Sequence, residues 1–295
     1  MAGLGLIRSA LFVPGNRADR VDKALATKAD VVIIDLEDAV PAVEKSAARE
    51  TAAKKLESAG AGRVLIRVNG MDTPFFKEDL DAVLAPGLHG LVVPKVEDER
   101  SIPHLHGMLR ALETRRQIGP VPVIALIESA RAVAGIHRIL EAPTDPPRLQ
   151  ALAFGAADYT SDLGIAITSD GQELAYPRSR LAVASRAAGL LPPLDTPFML
   201  DLKDLQALEA DALRAKQLGF GGKLCIHPNQ VEIVNRTFSP RPDEVRQAEA
   251  VVSAFEEAQV KGVGAIQVEG KFIDKPVVER ARQVLRLARG LNAGG

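Results

Sequence analysis

Short runs of apolar residues alternate with amphipathic stretches along most of the chain. The runs are apolar at nearly every position, as is typical of strands buried on both faces of a parallel sheet. They predict strands at residues 9–15, 30–38, 63–69, 90–95, 121–129, 149–158, 194–198 and 222–228, of which the seventh is the weakest. Helical periodicity between them predicts helices over residues 43–59, 98–115, 131–140, 177–189 and 202–218.

The alternation of strands and helices predicts right-handed βαβ units, and eight such units close into a barrel. The predicted fold is therefore an α/β fold, a (β/α)₈ TIM barrel. The alternative is an open doubly wound sheet, but VPGNR after the first strand has one glycine where a dinucleotide-binding turn needs G-x-G-x-x-G.

The strand–helix rhythm stops near residue 236. An amphipathic helix, a loop or hairpin, and a final helix with Pro276 near its first turn follow. We therefore predict a catalytic barrel over residues 1–236. Residues 237–295 are predicted to form a C-terminal helical extension that acts as a lid or in oligomerisation.

Composition limits the possible partners and the compartment. The 295 residues are 46% hydrophobic, enough for one sizeable core, and carry a net charge of −1. Without a basic block or a run of about 20 apolar residues, neither nucleic acid nor membrane is an expected partner. Cys225 is the only cysteine, which excludes an intrachain disulfide and favours a cytoplasmic location.

Polar residues of both charge signs lie at the carboxyl ends of the predicted strands, where TIM-barrel enzymes hold their active sites. Glu128 ends the fifth strand and Asp158 the sixth, so two carboxylates should meet at one end of the barrel. Two carboxylates on a rigid frame suit Mg²⁺. The alternative is that each caps the next helix or pairs with Arg67 or Lys95.

Arg67, at the end of the third strand, is the natural partner of an anion. Its planar guanidinium can bind a carboxylate in a fork or stabilise an enolate oxygen. The alternative is a structural salt bridge to Asp35 or Glu37. Strand alternation places these two acids on one face, at the barrel mouth, and leaves Asp38 to cap the next helix. The alternative is that the whole acidic strand end serves only to cap a helix.

Two other reactive side chains are candidates of a different kind. His227 lies at the end of the predicted eighth strand and is either catalytic or a buried, hydrogen-bonded histidine. Cys225 lies within an apolar run, so we expect it to be a core residue and not a nucleophile.

Taken together, eight segments of the chain resemble the citrate lyase β-subunit-like family of the HpcH/HpaI aldolase superfamily. They extend from Arg8 to about Pro276 and are specific in their order and spacing. The segments are RSALFVPGNR, ADVVIIDLEDAV, IRVNGMDTPF, LVVPKVE, ALIESARAV, LAFGAADYTSDLG, LGFGGKLCIHPNQVEIVN and EGKFIDKP.

The resemblance implies a lyase that cleaves or forms a C–C bond between an acyl-CoA and a 2-oxo acid. Citryl-CoA, malyl-CoA and citramalyl-CoA are the typical substrates of the family, which usually assembles as homotrimers or hexamers. It also implies that Glu128 and Asp158 hold Mg²⁺ and that Arg67 contacts the oxo acid.

Further roles follow from the same resemblance. Asp274 is expected to reach into a neighbouring subunit's site as an acid/base, and Glu37 is predicted to be catalytic together with Arg67. Arg20, just after the first strand, is a candidate for the CoA phosphates, with solvated helix charges as the alternative. Substrate-binding residues are predicted to be Arg67, Gly155, Ala156 and Ala157, and the principal CoA-binding residues Arg17 and Lys23.

The segment around the weak seventh strand departs from the family pattern. Asp195-Thr196-Pro197 replaces the more usual Asp-Gly, which leaves the substrate's identity open. Rival functions are a malyl-CoA thioesterase or malate synthase-like activity at the same metal site, a CoA-independent class II aldolase, and a non-catalytic binding protein.

Overall fold

The protein forms a closed barrel with a separate C-terminal unit. A computed structural model describes residues 3–58, 63–142, 144–260, 265–268 and 271–293. Within these ranges eight parallel strands pair in chain order, and the last pairs with the first. The predicted (β/α)₈ barrel is confirmed. The strands are β1 (Ser9–Pro14), β2 (Val31–Asp35), β3 (Val64–Arg67), β4 (Gly90–Val93), β5 (Val123–Ile127), β6 (Leu149–Phe154), β7 (Leu194–Asp195) and β8 (Gly222–Cys225).

Helices connect the strands. Several of them are too short to show a helical repeat of apolar residues in the sequence. The five predicted helices are present to within a few residues. Four others were not predicted, and three of these have only eight residues, too few for a clear apolar repeat. The helices are α1 (Ala18–Leu25), α2 (Lys45–Ser58), α3 (Phe76–Val83), α4 (Ser101–Arg116), α5 (Ala130–Glu141), α6 (Ala156–Leu163), α7 (Ala175–Ala187), α8 (Leu205–Gln217) and α9 (Pro228–Phe238).

Side chains along each strand alternate between the barrel interior and the surrounding helices. Ile33, Leu65 and Leu126 belong to the interior cluster, whereas their neighbours along the strands pack in a larger cluster with the helices. Because the alternation has a period of two, the next inward positions are Asp35, Arg67 and Glu128. The alternation thus carries three charged side chains into the barrel mouth.

Near β7 the layer between strands and helices is ionic. Arg178 Nε and Nη2 donate to Asp195, both at 2.9 Å. Lys223 Nζ donates to Asp195 Oδ2 at 2.5 Å and to Asp211 Oδ2 at 2.6 Å. All four side chains are buried. Their charges balance within this group, which is what allows them to be buried.

The C-terminal residues form a compact unit of their own. The chain divides into Met1–Phe238 and Ser239–Gly295. The second unit contains an antiparallel hairpin and two long helices, whose core includes Val251 and Phe255. The sequence favours a turn at Gly270, which lies outside the described residues. The unit's role as a lid or in oligomerisation stays a prediction. Its elements are α10 (Pro242–Val260), β9 (Ile266–Val268), β10 (Lys271–Ile273) and α11 (Lys275–Ala293).

No helix in the described ranges is long and apolar enough to cross a lipid bilayer.

Candidate active site

A cavity of about 330 Å³ opens at the carboxyl ends of the barrel strands. Its wall combines apolar side chains with charged groups, as expected for a small-molecule site. It includes most of the residues that the sequence singled out. The polar and charged side chains on the wall are Arg20, Asp35, Asp38, Arg67, Glu128, Asp158 and Thr196, and the backbone of Gly155, Ala156 and Ala157 completes it.

Glu128 follows β5 directly and is only 5% exposed. Its Oε1 accepts a hydrogen bond from the backbone N–H of Lys95 at 2.8 Å. It does not cap α5, because Ser129 Oγ accepts from Ala132 N instead. Burial raises the pKa of Glu128 to about 8, although the Lys95 N–H opposes the shift, and the charges of Glu37 and Asp158 raise it further. A carboxylate held in this way favours a nearby cation.

Asp158 occupies a different position from the one predicted. The strand prediction over 149–158 is wrong at its end, because β6 stops at Phe154 and the chain turns at Gly155 into α6. Asp158 therefore lies in the first turn of α6. It is exposed, lines the cavity and forms no ion pair or side-chain hydrogen bond with the described residues.

Gly155 brings the backbone of α6 close to Glu128. A Cβ at this position would lie 2.6 Å from Glu128 Cβ and 2.7 Å from Glu128 Oε2, distances too short for any side chain. Glycine is therefore required by the close approach of the two segments. The result is that Glu128 Oε2 lies beside the start of α6, and that Glu128 and Asp158 line the same cavity.

The donors present fit Mg²⁺. Glu128 Oε2 accepts no hydrogen bond from the described residues, and Asp158 offers a second free carboxylate. The described residues contain no group of three or more His, Cys, Asp or Glu side chains arranged to hold a metal. Mg²⁺ needs no such group, since it commonly binds one or two carboxylates and keeps waters or substrate oxygens as its other ligands.

Arg67 lies at the centre of a network of acids. Its Nε and Nη2 donate to Asp35 at 2.7 and 2.6 Å, the planar fork expected of a bidentate pair. Its Nη1 lies 3.2 Å from Glu37 and 3.4 Å from Asp38, and its guanidinium stacks over the Phe12 ring at 4.8 Å. Burial opposes the charged form, but the bonds to Asp35 outweigh it and raise the pKa of Arg67.

Arg67 thus forms the salt bridge that was the alternative, and it also lines the cavity, so its binding of a substrate anion stays a prediction. Asp35 lines the mouth, as expected. The expectation that Asp38 caps a helix is wrong, since the next helical turn starts at Ala42; Asp38 lies on the cavity wall beside Arg67.

Glu37, expected at the barrel mouth with Asp35, is absent from the cavity wall and instead forms an ion pair with Arg67. It is buried, and its oxygens are 2.9 Å from Lys95 Nζ and 3.2 Å from Arg67 Nη1. Neither oxygen accepts a hydrogen bond of good geometry from the described residues, so these contacts are ion pairs only. Burial raises the pKa of Glu37, and the charge of Arg67 partly offsets the rise.

Lys95 follows β4 in a left-handed conformation, with φ of 54°. This conformation costs a side-chain-bearing residue about 1–2 kcal/mol, so the surrounding contacts must hold it in place. Its backbone N–H contacts Glu128 and its ammonium contacts Glu37, so one residue touches both acids.

The structure brings together only some of the predicted ligand-binding residues. Arg20 lies on the cavity wall, whereas Arg17 and Lys23 do not. Arg17 is exposed and pairs with Asp19 at 3.3 Å. The N–H of Ala156 is already donated to Thr196 Oγ1 at 3.1 Å. Within the described residues the N–H groups of Ala157 and Asp158 have no protein acceptor and remain available at the start of α6.

His227 and Cys225 take no part in the cavity wall. The expectation of a buried histidine is wrong, because His227 is exposed, and its Nδ1 lies 2.6 Å from Asn229 Oδ1. Cys225 is fully buried in β8, and burial raises the pKa of its thiol to about 12. A thiol with that pKa is protonated at neutral pH and is a poor nucleophile, as predicted.

Comparison with known proteins decides the family. The family model described as HpcH/HpaI aldolase/citrate lyase matches residues 8–228. The chain belongs to this family. The resemblance inferred from the sequence segments is confirmed, and the match covers all eight strands of the barrel.

Members of the HpcH/HpaI family resemble the chain over nearly its whole length. The citrate lyase subunit beta of Leuconostoc mesenteroides subsp. cremoris is 37% identical over 96% of this chain and 93% of its own. The L-malyl-CoA/beta-methylmalyl-CoA lyase of Cereibacter sphaeroides is 31% identical over 97% of this chain and 96% of its own. The crystal structure of CitE from Mycobacterium tuberculosis with magnesium, acetoacetate and coenzyme A gives a TM-score of 0.79 at 30% identity, over 97% of this chain and 99% of that one.

Two features of this HpcH/HpaI-family site were missed by sequence reasoning. Thr196 reaches the wall from the segment after β7, a two-residue strand that leaves almost no apolar signal. Lys95 was noted at a strand end, but its contact with Glu37 joins residues far apart in sequence. No local sequence pattern indicates such a contact, and no pattern indicates that a lysine adopts the left-handed backbone conformation.

Proposed function

We propose that this chain is a Mg²⁺-dependent carbon–carbon lyase acting on a 3-hydroxyacyl-CoA such as citryl-, malyl- or citramalyl-CoA. The products are an acyl-CoA and a 2-oxo acid, and the reaction can run in either direction. One observation carries the proposal. Two carboxylates that have no cationic partner among the described residues, those of Glu128 and Asp158, share a cavity wall with the guanidinium of Arg67.

Each residue on the wall has a task that its position supports. Glu128 and Asp158 would hold Mg²⁺, which supplies Lewis-acid stabilisation to oxygens of the 2-hydroxy acid portion. Arg67, held by Asp35, would bind that portion's carboxylate with the part of its guanidinium that faces the cavity. The N–H groups of Ala157 and Asp158 at the start of α6, which have no acceptor among the described residues, suit a further anionic oxygen.

In the cleavage direction a carboxylate acting as the base accepts the proton of the hydroxyl group, and the hydroxyl carbon becomes the carbonyl of the 2-oxo acid. The electron pair of the broken C–C bond passes to the acyl fragment as a thioester enolate. A proton donor then converts the enolate into the acyl-CoA. For this donor we propose Asp274 from a neighbouring copy of the chain, on the strength of the family resemblance.

The coenzyme's phosphates need positive charge near the cavity mouth. Arg20 lines the cavity and is exposed, so it is better placed than Arg17 or Lys23 for this role. The proposal includes a homo-oligomer, a trimer or hexamer, and a cytoplasmic location consistent with a single buried thiol.

The test is a turnover screen with a panel of 3-hydroxyacyl-CoA thioesters, with Mg²⁺ and with EDTA. We expect glyoxylate, pyruvate or oxaloacetate as a product only with Mg²⁺.

Glu128→Gln and Asp158→Asn should each keep the fold, measured by circular dichroism, and lose metal-dependent turnover. A free acid plus free CoA would indicate a thioesterase. Mg²⁺ binding that survives both substitutions unchanged would contradict the proposed site.

A further inference from the structure

Lys95 makes two contacts that depend on its unusual backbone. With φ of 54° it adopts a conformation that side-chain-bearing residues rarely enter. Its N–H points at Glu128 Oε1, 2.8 Å away, while its side chain turns to Glu37 Oε1 at 2.9 Å. One strained residue is thus anchored at both its backbone and its side chain.

The N–H contact selects one oxygen of Glu128. Oε1 is occupied by the hydrogen bond from Lys95, whereas Oε2 lies next to Gly155, which lines the cavity. A carboxylate fixed through one oxygen presents the other in a defined direction. This is how groups that do not touch a metal orient those that do.

The side-chain contact acts on a different neighbour. Glu37 is buried, has no hydrogen bond of good geometry within the described residues, and has two cations within ion-pair distance, Lys95 and Arg67. An isolated buried carboxylate draws any available cation towards it. The ammonium of Lys95 shares this charge and leaves Arg67 Nη1 at 3.2 Å, longer than the 2.6 and 2.7 Å bonds that Arg67 makes to Asp35.

We propose that Lys95 is a positioning residue that orients the metal-binding carboxylate of Glu128 through its backbone N–H and keeps Arg67 available to the 2-oxo acid by neutralising Glu37. The inference deepens the proposed function and rests on it. Lys95 and Glu37 both lie off the cavity wall, so neither needs to touch the substrate for this role. In this proposal Glu37, predicted to be catalytic, acts on the substrate only indirectly, through its ion pair with Arg67.

The side-chain role predicts a specific rescue. Lys95→Met removes the ammonium, so Glu37 is left with Arg67 alone and binds it more tightly. The affinity for the 2-oxo acid should then fall at least about tenfold, the loss expected when a charge-assisted hydrogen bond is weakened. Glu37→Gln removes the competing charge, so Lys95→Met/Glu37→Gln should recover most of the lost affinity. Mg²⁺ affinity should stay within about twofold throughout, because every variant keeps the N–H at position 95.

The backbone role predicts a dependence on left-handed propensity. Asparagine enters this conformation readily, whereas a β-branched residue does so only under strain. Lys95→Val should therefore displace the N–H and weaken Mg²⁺ binding about tenfold or more, and Lys95→Asn should not. Both variants lose the ammonium equally, so the difference between them reports the backbone alone.

The measurements are calorimetric titrations of Mg²⁺, and of glyoxylate, pyruvate and oxaloacetate in saturating Mg²⁺, together with melting temperatures. Lys54→Met, at an exposed lysine that pairs with Glu50, is the matched control and should match the wild type. The inference is overturned if the double variant shows no recovery, or if Lys95→Val and Lys95→Asn bind Mg²⁺ alike. Wild-type protein that binds no Mg²⁺ and no oxo acid would overturn the proposed function as well, which separates the two failures.

Discussion

At the scale of single residues, the site depends as much on a missing side chain as on those present. Gly155 lets α6 approach Glu128 so closely that a methyl group would meet Cβ and Oε2. Gly155→Ala should move one of the two segments, lower Mg²⁺ affinity by about tenfold or more and destabilise the fold by about 1–3 kcal/mol. Metal titration and chemical unfolding measure the two effects.

A matched control is available in α4. A Cβ at Gly107 would meet nothing within 4 Å, so Gly107→Ala should leave Mg²⁺ affinity unchanged. It should also stabilise the helix slightly, because alanine loses less backbone entropy on folding than glycine does. Equal Mg²⁺ affinity in the two alanine variants would show that the approach at Gly155 does not matter for the metal.

Arg67 gives a second prediction at this scale. Arg67→Lys keeps the charge but cannot reproduce the fork to Asp35, nor point a further N–H at the cavity. We expect kcat/KM to fall by roughly 10²–10³, the typical cost of losing one preorganised donor. Steady-state kinetics with the best substrate of the panel provide the measurement. Full activity in this variant would mean that Arg67 serves only as a positive charge.

The sequence could predict individual site residues where the pattern of a strand ends in a charge. Glu128 and Arg67 were found in this way, and Asp158 was found although its element was assigned wrongly. What it could not predict were contacts between distant segments, such as Glu37 with Lys95. Such contacts depend on which strand ends lie next to each other in the fold, and the local sequence of either segment alone does not indicate this.

At the scale of elements, strands were easier to predict than short helices. A buried strand of five residues is apolar throughout, as β5 is, whereas an eight-residue helix such as α6 gives barely two turns of periodicity. The boundary between β6 and α6 was therefore misplaced. The short β7 was weak in the sequence because Asp195, one of its two residues, belongs to the buried ion cluster.

That ion cluster predicts a dependence of stability on acid. Burial alone would raise the pKa of Asp211, but the charges of Lys223 and Arg178 outweigh it and lower the pKa to about 2. Because the folded-state pKa lies below the unfolded one, the carboxylate stabilises the fold above about pH 4. That contribution, on the order of 2 kcal/mol, is lost as the pH falls towards 2.

The variant that isolates this effect is Asp211→Asn, which cannot titrate. At pH 7 its free energy of unfolding should be about 3–5 kcal/mol lower than that of the wild type, because Lys223 and Arg178 lose one of their two carboxylates. Urea unfolding at a series of pH values should show that this difference in the free energy of unfolding becomes smaller from pH 4 downwards. Asp22→Asn, which removes an exposed pair with Lys55, should show no comparable gap. A gap that does not change with pH would contradict the prediction.

At the scale of the whole molecule, the C-terminal unit raises the question of which chain its residues serve. Asp274 precedes α11, and its Oδ1 accepts from Val277 N at 3.3 Å, so it caps that helix. The acid/base role of Asp274 in a neighbouring subunit is a proposal that rests on the family resemblance. Capping alone is worth about 1 kcal/mol, so loss of the cap cannot by itself abolish turnover.

Complementation between subunits tests this role. Arg67→Ala and Asp274→Ala should each be inactive alone. After mixing under conditions that exchange subunits, some sites combine an intact barrel with an intact neighbouring Asp274. We expect activity to return in the mixture and not in either parent. Absence of any return, with exchange verified by mass spectrometry of differently tagged chains, would confine Asp274 to its own chain.

The closure of the barrel has a consequence for the time at which the protein can fold. Ser9 pairs with Lys223, so nearly the entire barrel is synthesised before β1 meets its second partner. Until then one side of β1 is an unpaired, mostly apolar edge, the kind of surface on which newly made chains associate wrongly. At this seam a Cβ on Gly222 would lie 2.1 Å from Ile7 O. A side chain at residue 222 would obstruct the pairing of β1 with β8, which can form only after β8 has been synthesised. Its effect should therefore appear first as a lower yield of soluble protein during expression.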